Sequence, residues 1–438
     1  MKYRRPEPRQ WIGGLCLLIV VSVLVSLASA QNTGPAKVPV VGSRAEWLPA
    51  KEILVHTPGE ELLLGVVHPA AALFERAFSL RDAAREHRNY IKLLEKEGAT
   101  VHTVVGTLLD GTVDQAGNPL SGPALDELRE FAGTFLTVDA SALPPALQKE
   151  QADYKRQTLA ALHPAELVQI ILLQPTVRLR QTEINTGFAA TYELAPVMNL
   201  YFCRDQMITT ARGVVVGRMN SPQRAVETRI MKFALHKLGI QPIFEVTGEA
   251  RLEGGDFLPA GDTALIGQGL RTNAAAIAQL LENKVFGVPR VVVVKDSWKN
   301  QDEMHLDTYF NLIGPRLAVI EEKRIGQNGK PAERQSVVDV YQLAGNAYQK
   351  IAADVDFVKY LKENLGFTLI PVSSEDQLRY GVNFLTIRAN RILAIDGVGA
   401  PYKTTLKNAG ADATWMDFHN LTGGYGAAHC STQVLRRE

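Results

Sequence analysis

Cysteine is scarce in this chain, neither charge sign is in excess, and aromatic residues are few. Each shortage removes a class of function. Only Cys16, Cys203 and Cys430 occur in 438 residues. With Cys16 inside an apolar leader, the two that remain are too few for a disulfide framework, although one bridge is allowed in an oxidising compartment. There are 47 basic and 46 acidic residues, a net charge of +1, which argues against a nucleic-acid surface or a polyanionic partner. Aromatics make up 7% of the chain and form no run on which bases would stack. No C-x-x-C or H-E-x-x-H occurs, and the neighbours His429 and Cys430 cannot readily aim at one ion, so zinc is disfavoured. Neither a metal nor an organic cofactor is expected.

Long apolar runs are also missing, with one exception. "WIGGLCLLIVVSVLVSLASA" spans Trp11 to Ala30 without a charge, after Lys2, Arg4, Arg5 and Arg9, and it closes on Ala28-Ser29-Ala30. This is the layout of a secretory signal cut after Ala30, which predicts export to the periplasm or the medium. The run is nearly long enough to span a bilayer, so an uncleaved anchor is the alternative. No membrane partner is expected once the leader is cut, and the sequence leaves a homo-oligomer open.

What is present reads as an α/β protein. Hydrophobic residues are 46% and charged residues 21%, ordinary for a globular chain. Residues 31–50, polar and Pro-bearing, are expected to strap the surface, with a catalytic domain over 51–438. "EILVHTPG" (Glu52 to Gly59) reads as a strand and turn. "LRDAAREHRNYIKLLEKEG" (Leu80 to Gly98) has the 3.6-residue period and a glycine stop of a helix, and the strand "ATVHTVV" follows. Helix-then-strand units recur: Arg224 to Leu238 before "PIFEV", Thr272 to Asn283 before "PRVVVVKD", Tyr348 to Leu365 before "FTLIPV". The last runs from Tyr402 to Asn408, between "NRILAI" and "ATWMDF". Five such units suggest a repeated α/β module. A doubly wound sheet is the alternative, but no Gly-rich phosphate loop follows an early strand. Residues 121–178 break the rhythm and are expected to be an all-helical insertion.

Four stretches place polar residues in apolar surroundings: "NLYFCRD" (Asn199 to Asp205), "LEGGDF" (Leu252 to Phe257), "MHLDT" (Met304 to Thr308) and "GGYGAAHCST" (Gly423 to Thr432). Each has a plain structural explanation when taken alone: a surface ion pair at Asp205, a tight turn with solvated Glu253 and Asp256, a structural His305, a buried Cys430. His305 and Asp307 alternate as in a strand and would share a face. Small residues around Cys430 leave its backbone open to close approach. If the units form a ring, the four stretches converge. A thiol, a histidine and several carboxylates then suit attack on a flat cationic carbon such as a guanidinium: the carboxylates accept its N–H groups, the bound cation favours thiolate, and histidine protonates the leaving amine.

Taken together and in this order, the four stretches resemble the arginine deiminases of the guanidino-modifying (pentein) superfamily, from about Glu52 to Cys430. That resemblance implies a five-bladed α/β propeller of ββαβ modules with a helical insertion, and hydrolysis of arginine to citrulline and ammonia. It implies that Cys430 attacks the guanidinium carbon to give a thiouronium, that His305 protonates the leaving ammonia and activates water, and that Glu253 orients His305. Asp205 and Asp307 would grip the guanidinium, with Asp256 in support, while Asn199, Arg224 and Arg271 would bind the carboxylate end. Tyr425 stands where the family commonly has an arginine five residues before the nucleophile, and Cys203 where a threonine is common. The first of these departures keeps other readings open: an amidinotransferase, or a hydrolase of agmatine, methylated arginine or peptidyl arginine. A non-catalytic arginine-binding protein is the alternative of a different class, disfavoured because every expected catalytic position holds a competent residue.

Overall fold

The computed structural model describes residues 41–184, 186–326 and 331–438. The predicted leader, residues 1–30, and residues 31–40 lie outside them.

Among the described residues, one short pattern is used five times. A hairpin of two antiparallel strands is followed by a helix, and the next strand pairs parallel to the second strand of the hairpin. In chain order, Met207–Thr210 and Gly213–Val216 precede helix Glu227–Lys237 and strand Phe244–Glu245. Phe257–Ala260 and Thr263–Gln268 precede Ala274–Glu282 and Arg290–Lys295. Phe310–Gly314 and Leu317–Glu321 precede Phe357–Glu363 and Thr368–Val372. Leu385–Arg388 and Arg391–Ile395 precede Ala400–Asn408 and Asp412–Met416. The fifth unit joins the two ends of the described chain. Its hairpin pairs the last strand, Gln433–Arg437, with Ala50–Val55, and helix Leu80–Lys96 leads to the parallel strand Thr100–Thr103.

Local chemistry explains these elements. The middle strands are apolar on both faces, as in Gly213–Val216, because neighbours cover both sides. Ser79 caps the helix Leu80–Lys96 by accepting from the Asp82 amide, and Gly98, at φ +91°, ends it. Gly261, at φ +76°, makes the tight turn between Phe257–Ala260 and Thr263–Gln268.

Several expectations need correction. The insertion is not all-helical: helices Pro123–Gly133, Pro145–Ala161 and Pro164–Leu173 accompany a sheet of Thr137–Asp139, Pro175–Gln181 and Phe188–Leu194. The middle strand, Pro175–Gln181, alternates charged and apolar residues, and its Arg178 pairs with Asp139 and Glu193 on the neighbouring strands. Tyr348 to Leu365 is not one helix. Ala347–Asp356 is a strand paired with Val337–Ala344, and the helix begins only after Asp356 caps it by accepting from the Lys359 amide. Its residues show no helical stripe to bury, and the partner strand decides the conformation. Residues 41–50 are not a surface strap: Ser43, Ala45, Glu46 and Ala50 are buried, and the Glu46 amide bonds the Pro259 carbonyl. Among the described residues, no helix is long and apolar enough to cross a membrane.

Candidate active site

The four polar stretches meet in one cleft. Asn199, Asp205, Arg224, Arg271, His305, Tyr425 and Cys430 line it, with Leu73, Phe202, Gln301, Met304 and Gly424 completing the walls. Glu253, Asp256 and Asp307 stand directly behind this lining. All ten residues singled out from the sequence therefore lie in or against one site, and all except Tyr425 are buried.

His305 enters from a short 3-10 turn, Leu306–Thr308, of which it is the N-terminal cap. This corrects the strand expectation for His305 and Asp307. The turn separates their side chains, so His305 faces the cleft while Asp307 runs beneath Cys430. His305 Nε2 lies 2.9 Å from Glu253 Oε2, and its Nδ1 lies 3.8 Å from Asp205 Oδ1. Gly255 lets the ring come close: a Cβ there would stand 2.6 Å from His305 Nδ1. Glu253 is fixed in turn, its Oε1 accepting from the Asn220 amide at 2.9 Å. Asp256 Oδ1 accepts from the Leu306 amide at 3.0 Å and so pins the turn that carries the histidine.

Cys430 lies on the turn before the last strand, with Sγ 3.7 Å from Asp307 Oδ2. Two residues that the sequence reading passed over position it. Asn383 Oδ1 accepts from the amides of Cys430 (3.2 Å) and Ala427 (3.1 Å), and its Nδ2 donates to the Asp307 carbonyl at 3.1 Å. His429 Nδ1 lies 2.6 Å from Asp307 Oδ2, while its Nε2 faces Glu46 Oε1 at 3.8 Å. His429 adjoined a singled-out residue and was weighed only as a metal ligand. Asn383 lies in "GVNF" and carries no sequence signal.

Charge shapes the site's protonation. Burial alone would lower the basicity of His305, but Asp205, the Glu253 hydrogen bond and Asp256 outweigh it and raise the pKa to about 9. Burial disfavours ionised Glu253, yet its hydrogen bond to His305, the charge of that ring and Arg271 hold it at about 2. Burial raises Asp256 to about 6. The Cys430 thiol is pushed well above its usual 9.0, first by burial and then by the Asp307 and Asp205 carboxylates. The cleft thus holds imidazolium beside thiol, at a place where added positive charge would favour thiolate. Asp205 Oδ1 and Asp307 Oδ1 are buried without a hydrogen-bond partner. Buried carboxylate oxygens left this way call for a donor-rich cation.

The arginines differ from one another. Arg224 is not the exposed charge that its place at a helix start suggests. Its Nη1 donates to Asp205 Oδ2 at 2.7 Å, its Nε donates to Glu227, and its Nη2 donates to the Asn199 carbonyl at 3.3 Å. Most of its donors are used inside the protein. Arg271 is freer, 3.8 Å from Glu253 and 3.5 Å from Gln301 Oε1. The Asn199 side chain is turned to the Ala72 carbonyl at 2.9 Å. Tyr425 holds a left-handed backbone at φ +73° and places its hydroxyl 3.4 Å from Asp302 Oδ1. Asp205, Glu253 and His305 have ligand atoms within 4.8 Å of one another, a spacing that would accept a metal ion. Arg224 and Arg271 already stand against those two carboxylates as positive charge.

The chain is 26% identical to the arginine deiminase of Halobacterium salinarum, over 91% of this chain and 96% of that protein. It is 27% identical to that of Streptococcus gordonii, over 89% and 96%. Among solved structures it resembles an amidinotransferase of saxitoxin biosynthesis from Microseira wollei, with a TM-score of 0.52 at 14% identity over 91% of this chain and 97% of that one. It also resembles DDAH from Pseudomonas aeruginosa complexed with citrulline, with a TM-score of 0.50 at 14% identity over 88% and 98%. These two share its mixed α/β sheet fold. The arginine deiminase family model matches residues 71–437, and this chain belongs to the arginine deiminase family.

Proposed function

We propose that the protein hydrolyses the guanidinium group of free L-arginine to L-citrulline and ammonia, with Cys430 as nucleophile. The observation that carries this is the pair of buried carboxylate oxygens on Asp205 and Asp307 that accept no hydrogen bond, placed around a thiol and an imidazolium. A guanidinium satisfies both carboxylates through its planar N–H groups. Its charge offsets the two carboxylates that hold Cys430 as thiol, so on binding the thiol gives its proton to solvent and becomes thiolate, to be reprotonated after product leaves. The sulfur adds to the carbon, His305 gives its proton to the departing NH2 group, and ammonia leaves a thiouronium. His305, now neutral, takes a proton from water as the oxygen attacks. Collapse restores thiolate and releases citrulline, and the hydroxyl proton lost at that step balances the one that ammonia takes up. Glu253 orients His305, Asp256 holds the turn beneath it, and Arg271 receives the substrate's carboxylate with Arg224 and Asn199 beside it.

The same proposal covers the architecture and the setting. The five repeated units form the blades of a propeller around the cleft, residues 51–438 act as one catalytic domain, and the leader directs export with cleavage near Ala30.

Purified protein incubated with arginine should yield citrulline and ammonia in equal amounts, and Cys430→Ala should abolish both while leaving the circular dichroism spectrum unchanged. Turnover of agmatine or of a methylated arginine without turnover of arginine would overturn the substrate assignment. Product that appears only with an added amine acceptor would overturn hydrolysis.

A further inference from the structure

A second chamber, open to solvent, adjoins the cleft. The two share Met304 and Tyr425, which form the partition between them. Asn383, the residue that holds the Cys430 and Ala427 amides, forms part of the chamber's lining, so the chamber reaches a residue in contact with the Cys430 backbone. Thr308, on the turn that carries His305, forms another part. Glu75 and Asp302 contribute carboxylates, and none of the lining residues is lysine or arginine. Arg76 contacts Glu75 at the other carboxylate oxygen, 3.3 Å away, while Tyr380 donates to Glu75 Oε2 at 2.7 Å.

The reaction proposed above creates a transport problem, and this inference rests on that reading. The bond that breaks is to a terminal nitrogen, so the thiouronium on Cys430 still carries the whole amino-acid chain. That chain fills the cleft from Cys430 to Arg271 at the moment when ammonia must leave and water must arrive. We propose that the chamber behind Met304 and Tyr425 is the route for both small molecules. Ammonia passes the partition and takes a proton from solvent, and the resulting ammonium is drawn outward by Asp302 and Glu75. Water moves the other way to the thiouronium carbon. The ligand class is ammonium and small primary amines, and no amino acid needs to enter.

Leu378 lines the chamber and is 56% exposed, so enlarging it fills the passage without repacking the core. Leu378→Trp should lower kcat about three- to tenfold with KM for arginine unchanged, and mass spectrometry of enzyme quenched in turnover should show more Cys430 adduct than in the wild type. A second test uses methylamine in the assay at alkaline pH. An amine that reaches the thiouronium gives N-methylarginine in place of citrulline. The double variant Glu75→Gln, Asp302→Asn should lower the N-methylarginine-to-citrulline ratio about fivefold, because the carboxylates no longer concentrate the cation. An unchanged kcat and adduct level in L378W, or an unchanged product ratio in the double variant, would overturn the route and leave hydrolysis standing. A wild-type protein that makes no citrulline would overturn both.

Discussion

Replacing Glu253 by Gln removes one carboxylate from His305 and keeps the shape of the contact. In the native protein the imidazolium is stabilised from an ordinary pKa of 6.5 up to about 9. At about 1.4 kcal/mol per unit, this is on the order of 3 kcal/mol in favour of the charged ring. Burial works against that charge and is the largest single influence, opposed by Asp205, Asp256 and Glu253 together. Without the Glu253 charge the balance tips toward burial, and the His305 pKa should fall by about 1 to 2 units. Loss of ammonia needs imidazolium, so the alkaline limb of kcat/KM should move down by the same amount. The assay is citrulline release across pH 5 to pH 10, with the His305 ring followed by NMR. A variant whose ring still titrates near 9, or whose alkaline limb does not move, would refute the reasoning. The same linkage bears on stability. A raised His305 pKa contributes stability in full below pH 6.5, and that contribution is lost as pH rises through about 9. Glu253, held at about 2, contributes above pH 4.5 and loses its contribution as pH falls toward 2. Thermal unfolding of E253Q should therefore differ most from wild type between these limits and converge with it at the extremes.

Other predictions follow from single contacts. Gly255→Ala puts a Cβ 2.6 Å from His305 Nδ1, so the ring must shift; activity should fall by about 100-fold with the fold retained, as read by kcat and circular dichroism. Arg271→Gln should raise KM for arginine about 10- to 100-fold and change KM for agmatine, which has no carboxylate, far less. His429→Leu leaves Asp307 Oδ2 without its imidazole partner and should cost about 3 kcal/mol in urea unfolding, whereas His429→Asn, which keeps an N–H donor, should recover most of that loss.

The repeated helix-then-strand order and the four polar stretches were readable because they are local. A periodic run such as Leu80 to Gly98 shows its buried face in its own residues. Cys430, too, could be picked out by its setting, a thiol among small residues. Elements whose form depends on a distant partner were not readable. Ala347–Asp356 has weak periodicity and became a strand because Val337–Ala344 lies beside it. Residues 31–50 read as a polar strap, yet within them Glu46 is buried against Arg437, near the far end of the chain. Asn383 has no motif around it and gains its role from contact with backbone groups 47 residues away.

By itself, the sequence determined which chemistry this protein can perform, because the thiol, the imidazole and the carboxylates are properties of residues. The tertiary structure alone decided that Arg224 is consumed by Asp205 and Glu227, that His429 and Asn383 stand behind Cys430 and Asp307, and that a second chamber meets the cleft at Tyr425. These outcomes depend on distance and burial between segments far apart in the chain. Electrostatic strength follows separation in space and the solvent excluded around each pair, and a linear order of residues encodes neither.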